Sequence, residues 1–104
     1  MGGGGFSSFR FNSQDFPCSG KQINTQLSSP NAEVISTLSA GDVLNIRLLG
    51  GKSILVAMAG TEVAGVIVNK EMLKIIECIK KGFAFQAIVR SIFSGRCAIT
   101  IRPT

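Results

Sequence analysis

The stretch FAFQAIVRSIFSGRCAITIR at residues 83–102 decides the fold class of this chain. Apolar residues alternate with polar or small ones on both sides of Ser94-Gly95, a dipeptide typical of a tight turn. The pattern predicts a long strand at 83–93, a turn, and a last strand at 96–102 that Pro103 ends. The chain therefore closes on a β-hairpin.

Further strands are predicted upstream of this hairpin, each bounded by turn residues. They lie at 22–28, 43–49, 53–59 and 62–68. Gly65 inside the last of them predicts a bulge or a tight bend of a barrel. Residues 32–38 are ambiguous, and we favour one helical turn because Pro30 stands near a possible helix start. Residues 6–11 alternate weakly and fit an edge strand.

One segment has the periodicity of a helix. Asn69 offers an N-cap and Gly82 a stop, so we expect the principal helix at about 69–81. Its apolar residues fall on one arc and its lysines on the opposite arc. The residues expected to be buried against the rest of the domain are Leu73, Ile76 and Ile79.

The order of these elements predicts the fold class. So many short strands in 104 residues favour a mostly β fold, a small partly open antiparallel β-barrel, because closure protects the strand edges. The helix at 69–81 would cover one mouth of the barrel. We expect one domain at 21–104, preceded at 1–20 by a flexible glycine-rich tail and loop.

The composition argues against catalysis. The chain has no His, Tyr or Trp, and its six acidic residues form no closely spaced pair. Since His is the commonest general base at neutral pH, no residue offers itself as a catalytic base. We predict no enzyme activity, no metal site and no cofactor.

Three cysteines occur, at 18, 78 and 97, with no Cys-x-x-Cys spacing. Cys78 and Cys97 each lie among apolar residues, so we expect them to be buried free thiols. Cys18 could pair with either of them in the fold, and the spacing favours neither pairing.

The sequence also bears on location. No apolar run approaches the roughly 20 residues of a membrane span. Residues 1–6, MGGGGF, lack the charged and apolar regions of a signal peptide. We therefore expect a cytoplasmic protein with no membrane contact.

Eleven Lys and Arg against six acidic residues give a net charge of +5, which favours a polyanionic partner. Four arginines alternate with apolar residues on predicted strands, so each should project from the solvent face. Solubilising charge scattered over the surface explains the same pattern and stays open. The predicted anion-facing residues are Arg47, Lys52, Arg90, Arg96 and Arg102.

The chain has seven Phe in two groups. Phe83, Phe85 and Phe93 share one face of the long strand unless a bulge intervenes, and we expect a core face; an aromatic platform for bases is the alternative. The other group is Phe6, Phe9, Phe11 and Phe16, which could pack on the barrel or dock on a partner protein.

From residue 38 to 102 the apolar skeleton resembles the HIRAN domain. The residues that carry the resemblance are Gly41-Asp42-x-Leu44-x-Ile46, Ile54-x-Val56, Val63-Ala-Gly65-x-Ile67, then Leu73, Ile76, Cys78 and Ile79 with Gly82, and Phe85-x-Ala87-x-Val89. The resemblance implies a small barrel of OB-like type with a helix, and binding of single-stranded DNA. Gly50-Gly51-Lys52-Ser53 replaces the family's Asn-Pro-x-Asp-x-x-Ala segment.

Two functions from different classes follow. The first is a non-enzymatic module for single-stranded nucleic acid, favoured by the charge, the strand arginines and the resemblance. The second is a protein-interaction module or a structural subunit of a larger bacterial assembly, favoured by the apolar strands and the Phe-rich N-terminus.

Overall fold

The computed structural model describes residues 17–50 and 53–104, and this part of the chain is mostly β. The edge strand expected at 6–11, the N-terminal Phe group and Lys52 lie outside the described residues. The elements in chain order are β1 (Ile23–Gln26), α1 (Ala32–Ile35), β2 (Val43–Leu49), β3 (Ile54–Ala59), β4 (Glu62–Val66), α2 (Met72–Lys80), β5 (Phe85–Phe93) and β6 (Arg96–Pro103).

The described strands form one antiparallel sheet in the order β1-β6-β5-β2-β3-β4. Its two edges meet just beyond β1, where Ser28 and Val66 exchange both backbone hydrogen bonds, at 2.7 and 2.8 Å. The sheet is therefore a partly open antiparallel barrel, and the predicted fold class is confirmed.

A bulge in β4 lies next to this closing contact and contains a glycine that the contact requires. Ala57 pairs with Gly65 and Met58 with Val63, so Ala64 is the extra residue of β4. A Cβ on Gly65 would lie 2.9 Å from the Leu27 Cβ. Glycine therefore lets the two edges approach, and the bulge predicted at this position is confirmed.

The inward faces of the strands make the core. Leu44 and Ile46 of β2 are buried, and Val43, Asn45 and Arg47, which alternate with them, are exposed, as alternation predicts. Val89, Cys97 and Ile101 are also inside. None of the polar or charged side chains in residues 17–50 and 53–104 is fully buried. Since apolar burial is the main favourable term in folding, these faces hold the barrel together.

Helix α2 ends where predicted and begins slightly later. Gly82 has φ +103°, and the N–H groups of Gly82 and Phe83 donate to the carbonyls of Ile79 and Cys78, both at 3.0 Å. This is a Schellman cap, which needs a left-handed residue. Asn69 does not cap the helix; its Oδ1 accepts from the Glu71 N–H at 2.8 Å, in a turn before the first helical residue.

The buried stripe of α2 is narrower than its apolar arc. Ile75, Ile76 and Cys78 are buried and Ile79 packs partly against the core, but Leu73 is 68% exposed. The predicted burial of Leu73 is therefore wrong. At about 100° per residue the core-facing stripe centres between Ile75 and Ile79, and Leu73 lies roughly 140° from that centre, on the solvent side of the helix.

The ambiguous segment after Pro30 is one helical turn, as favoured. The Asn31 side chain caps it by accepting from the N–H groups of Glu33 at 3.1 Å and Val34 at 3.4 Å. Val34 and Ile35 enter the core. In the described part of the chain, neither helix has the length and apolar character that crossing a membrane requires.

Candidate nucleic-acid interface

Four neighbouring strands of the sheet contain no acidic residue, and three of them carry arginines. We call the outer surface of β1, β6, β5 and β2 the arginine face; its arginines are Arg47, Arg90, Arg96 and Arg102, and all four are exposed. The one salt bridge within residues 17–50 and 53–104 joins Lys21 to Glu71 instead, at 3.5 Å. None of the four arginines forms a salt bridge with a carboxylate of the described residues.

One pair of arginines lies where β5 begins. Arg102 of β6 stands directly opposite Gln86 of β5, and Gln86 stands opposite Asn45 of β2. Arg47 follows Asn45 by two residues on the same face of β2. Arg47 and Arg102 thus share one end of the arginine face. Lys52, predicted to join them, lies outside the described residues.

The second pair lies toward the tip of the β5–β6 hairpin. Arg96 pairs with Phe93, and Arg90 is the extra residue of a bulge between Val89 and Ser91. The Arg90 Nε donates to the carbonyl of Ile99 at 3.3 Å, which fixes the base of the guanidinium. Arg96 and Arg102 are six positions apart on β6, or about 20 Å at ~3.3 Å per residue. The arginines therefore form two pairs along one surface.

The β5 bulge also decides where the Phe residues point. Phe85 is buried, whereas Phe93, beyond the bulge, is 78% exposed and stands opposite Arg96. Phe83, before β5, is 41% exposed. The prediction that these rings lie in the core is confirmed for Phe85 and is wrong for Phe83 and Phe93. The hairpin tip therefore presents an exposed aromatic ring beside a guanidinium group.

A shallow groove of about 360 Å³ opens beside Arg102. Its lining residues are Gly20, Gln22, Gln86, Arg102, Pro103 and Thr104. Gln22 and Gln86 did not figure among the residues predicted for the site. The sequence does contain a signal for Gln22. It alternates with the inward residues of its segment, as Asn24 and Gln26 do, so it could have been placed on the outer face.

A disulfide joins Cys18 to Cys78 of α2 across 60 positions of sequence. The expected free thiol at Cys78 is therefore wrong, because spacing carries no information on which residues the fold brings together. Cys97 is free and buried, as predicted. Burial raises the pKa of the Cys97 thiol, so it stays protonated and a poor nucleophile.

The fold and the site define a small, partly open β-barrel in which the arginine face, on β1, β6, β5 and β2, carries no acidic residue. Comparisons with protein-family models, with curated proteins and with solved structures found no match. The likeness to the HIRAN domain stays a prediction from the sequence. No group of three or more His, Cys, Asp or Glu side chains in the described residues is arranged to hold a metal ion.

Proposed function

We propose that this protein is a non-enzymatic binding module for single-stranded nucleic acid, which lies along the arginine face. The observation that supports this most is the set of four exposed arginines on three adjacent strands, β6, β5 and β2, that carry no acidic residue. Phosphates are attracted to guanidinium groups, and nearby carboxylates would oppose them. The net charge of +5 acts in the same direction at longer range.

A single strand suits this surface better than a duplex. Phe93 is exposed beside Arg96, and unpaired bases stack on aromatic rings whatever their sequence. The bases of a duplex are already stacked inside it. A strand that followed β6 from the hairpin tip would meet Arg96 first and Arg102 at the far end.

The test is a salt titration with matched variants. We expect the double variant Arg90→Ala/Arg96→Ala to bind a 12-nucleotide deoxythymidine strand more weakly. Its slope of log affinity against log salt should fall by about 1.4, because each phosphate that an arginine neutralises contributes ~0.7 to the slope. The control is Lys80→Ala/Lys81→Ala, which removes the same charge from the end of α2 and should keep the wild-type slope.

Two results would overturn the proposal. One is a wild type that does not bind the strand at low salt. The other is an equal loss of affinity in the two double variants, because net charge alone would then account for binding.

A protein-interaction or structural role is the second candidate. Leu49 and Ile54 are directly paired across β2 and β3, and their side chains are 42% and 44% exposed. Exposed apolar pairs of this kind occur at protein interfaces. Affinity for such a partner would change little with salt, unlike affinity for phosphates. The Phe-rich N-terminus, the other basis for this role, lies outside the described residues.

We also propose the cytoplasm as the compartment, as expected from the sequence. The Cys18–Cys78 disulfide bears on this proposal, because cytosolic thiol pools keep most cysteines reduced. In that compartment the bond would form and break with the redox state.

A further inference from the structure

Among the residues just before β1, some contact helix α2 and others line the groove beside Arg102. Cys18 is bonded to Cys78, and the Lys21 Nζ lies 3.5 Å from the Glu71 Oε2 at the start of α2. Gly20 lies between these two anchors and Gln22 follows the second, and both line the groove. One short segment is thus fixed to the helix on one side and forms a groove wall on the other.

This wall lies outside the sheet. The pairing of β1 with β6 begins at Ile23 and Ile101, after the wall residues. Gly20 has φ +102°, a conformation that favours glycine and turns the chain between the two anchors. The Lys21–Glu71 side chains are 34% and 21% exposed, and partly exposed ion pairs contribute little. The disulfide is therefore the firmer of the two anchors.

The opposite wall of the groove is rigid by comparison. Gln86 and Arg102 face each other on β5 and β6, within an unbroken part of the hairpin ladder. The groove thus has a guanidinium and an amide on the fixed wall and a second amide, from Gln22, on the tethered wall. Amide side chains both donate and accept hydrogen bonds, as base edges do.

We propose that the groove beside Arg102 is a subsite for one nucleotide of the bound strand, and that the Cys18–Cys78 disulfide positions its second wall. The phosphate lies against Arg102, and the base edge bonds to the amides of Gln22 and Gln86. This proposal rests on the proposed function, and it adds that binding depends on the redox state of the protein.

The redox step needs a dithiol reductant. One thiolate of the dithiol attacks the Cys18 sulfur, which is half-buried, rather than that of Cys78, whose residue is 2% exposed. The Cys78 thiolate leaves and takes a proton. The second thiol of the reductant then displaces Cys18 as a thiol and closes a cyclic disulfide. Two electrons and two protons pass to the protein, and the wall loses its covalent link to α2 while the Lys21–Glu71 pair remains.

The test compares oxidised protein with protein reduced by dithiothreitol, using a fluorescein-labelled 12-nucleotide deoxythymidine strand. We expect reduction to weaken binding roughly three- to tenfold, the cost of ordering one or two side chains on binding. Cys18→Ala should bind as weakly as the reduced protein and should not respond to dithiothreitol. Amide hydrogen exchange should rise on reduction by more at residues 18–22 than in β3 and β4, where the rise reports only the loss of global stability.

A second pair of variants leaves the disulfide intact. Gln22 and Gln26 are both exposed, on the same face of the β1 segment, and only Gln22 lines the groove. Gln22→Ala should weaken binding in the oxidised protein, and reduction should then weaken it little further. Gln26→Ala should bind as the wild type does.

The outcomes separate the two proposals. Equal affinity of the oxidised and reduced proteins overturns the positioning role and leaves the proposed function standing. An equal rise in exchange at residues 18–22 and in β3 and β4 also overturns it, because the wall would then open only when the whole fold opens. Oxidised protein that does not bind the strand at low salt overturns the proposed function and the nucleotide subsite together, whereas the exchange at residues 18–22 still reports whether the disulfide holds the wall.

Discussion

Ile76 and Leu73 stand three positions apart on α2, and their surroundings differ completely. Ile76 is 5% exposed and packs in the core, whereas Leu73 is 68% exposed. We expect Ile76→Ala to lower the free energy of unfolding by about 2–5 kcal/mol, through lost transfer energy and the cavity left behind. Leu73→Ala, with the same kind of truncation, should change it by less than about 0.5 kcal/mol.

Denaturant unfolding of the two variants measures this difference. Equal midpoints for Ile76→Ala and the wild type would contradict the packing of α2 on the barrel. A large loss for Leu73→Ala would show instead that the outer flank of the helix is covered.

Single residues of the barrel wall could be placed from the sequence because strand alternation is a strict geometric rule. Ile46 and Arg47 point to opposite faces, as predicted. The pairing of Cys18 with Cys78 could not be predicted, since it depends on where α2 sits relative to the chain before β1. Alternation concerns neighbours along one strand, whereas a disulfide joins two distant segments.

At the scale of elements, one extra residue in β5 changes which of the following side chains face the core. Its inward residues follow the two-residue period up to Val89, and the extra residue Arg90 then reverses the remainder of the strand. No glycine or proline lies near Arg90 to mark the bulge in the sequence. The turns between strands, in contrast, carry glycines and were predicted close to their positions.

Phe93 and Phe85 provide the test of this reversal. We expect Phe93→Ala to leave stability nearly unchanged, because the ring is 78% exposed, and to weaken binding of the deoxythymidine strand. The loss should be roughly 5- to 150-fold if one base stacks on the ring, since stacking contributes about 1–3 kcal/mol. Phe85→Ala, in the core at 4% exposure, should cost about 3–5 kcal/mol of stability.

Fluorescence anisotropy measures how tightly each variant binds the strand, and thermal unfolding measures the stability of each. If Phe93→Ala binds as tightly as the wild type, bases do not stack at the hairpin tip. If it melts far below the wild type, the ring is packed rather than exposed.

For the whole molecule, the sequence predicted the net charge but could not predict where the charge lies. The four arginines are spread over residues 47–102, with Glu62, Glu71 and Glu77 between them in the chain. The strand order places β6 between β1 and β5, and β5 next to β2, so the acid-free strands become neighbours. Strand order depends on long-range pairing, which is why the arginine face appears only in the folded protein.

The disulfide should also matter to the stability of the whole molecule. Closing a loop across 60 positions restricts the unfolded chain, and the chain-entropy relation gives about 4 kcal/mol of stabilisation for a loop of that length. We therefore expect Cys18→Ala to unfold at lower denaturant concentration than the oxidised wild type. With dithiothreitol present the two proteins should unfold at nearly the same concentration, because neither then has the bond.

Thiol counting supplies the control for this comparison. In denaturant, oxidised wild type should show one reactive thiol, from Cys97, and fully reduced protein should show all three. A wild type with three thiols before any reduction would mean that the bond does not form. If one thiol is found but Cys18→Ala is as stable as the wild type, the loop is already restricted in the unfolded chain. The bond would then act chiefly on the groove wall, which the hydrogen exchange at residues 18–22 measures directly.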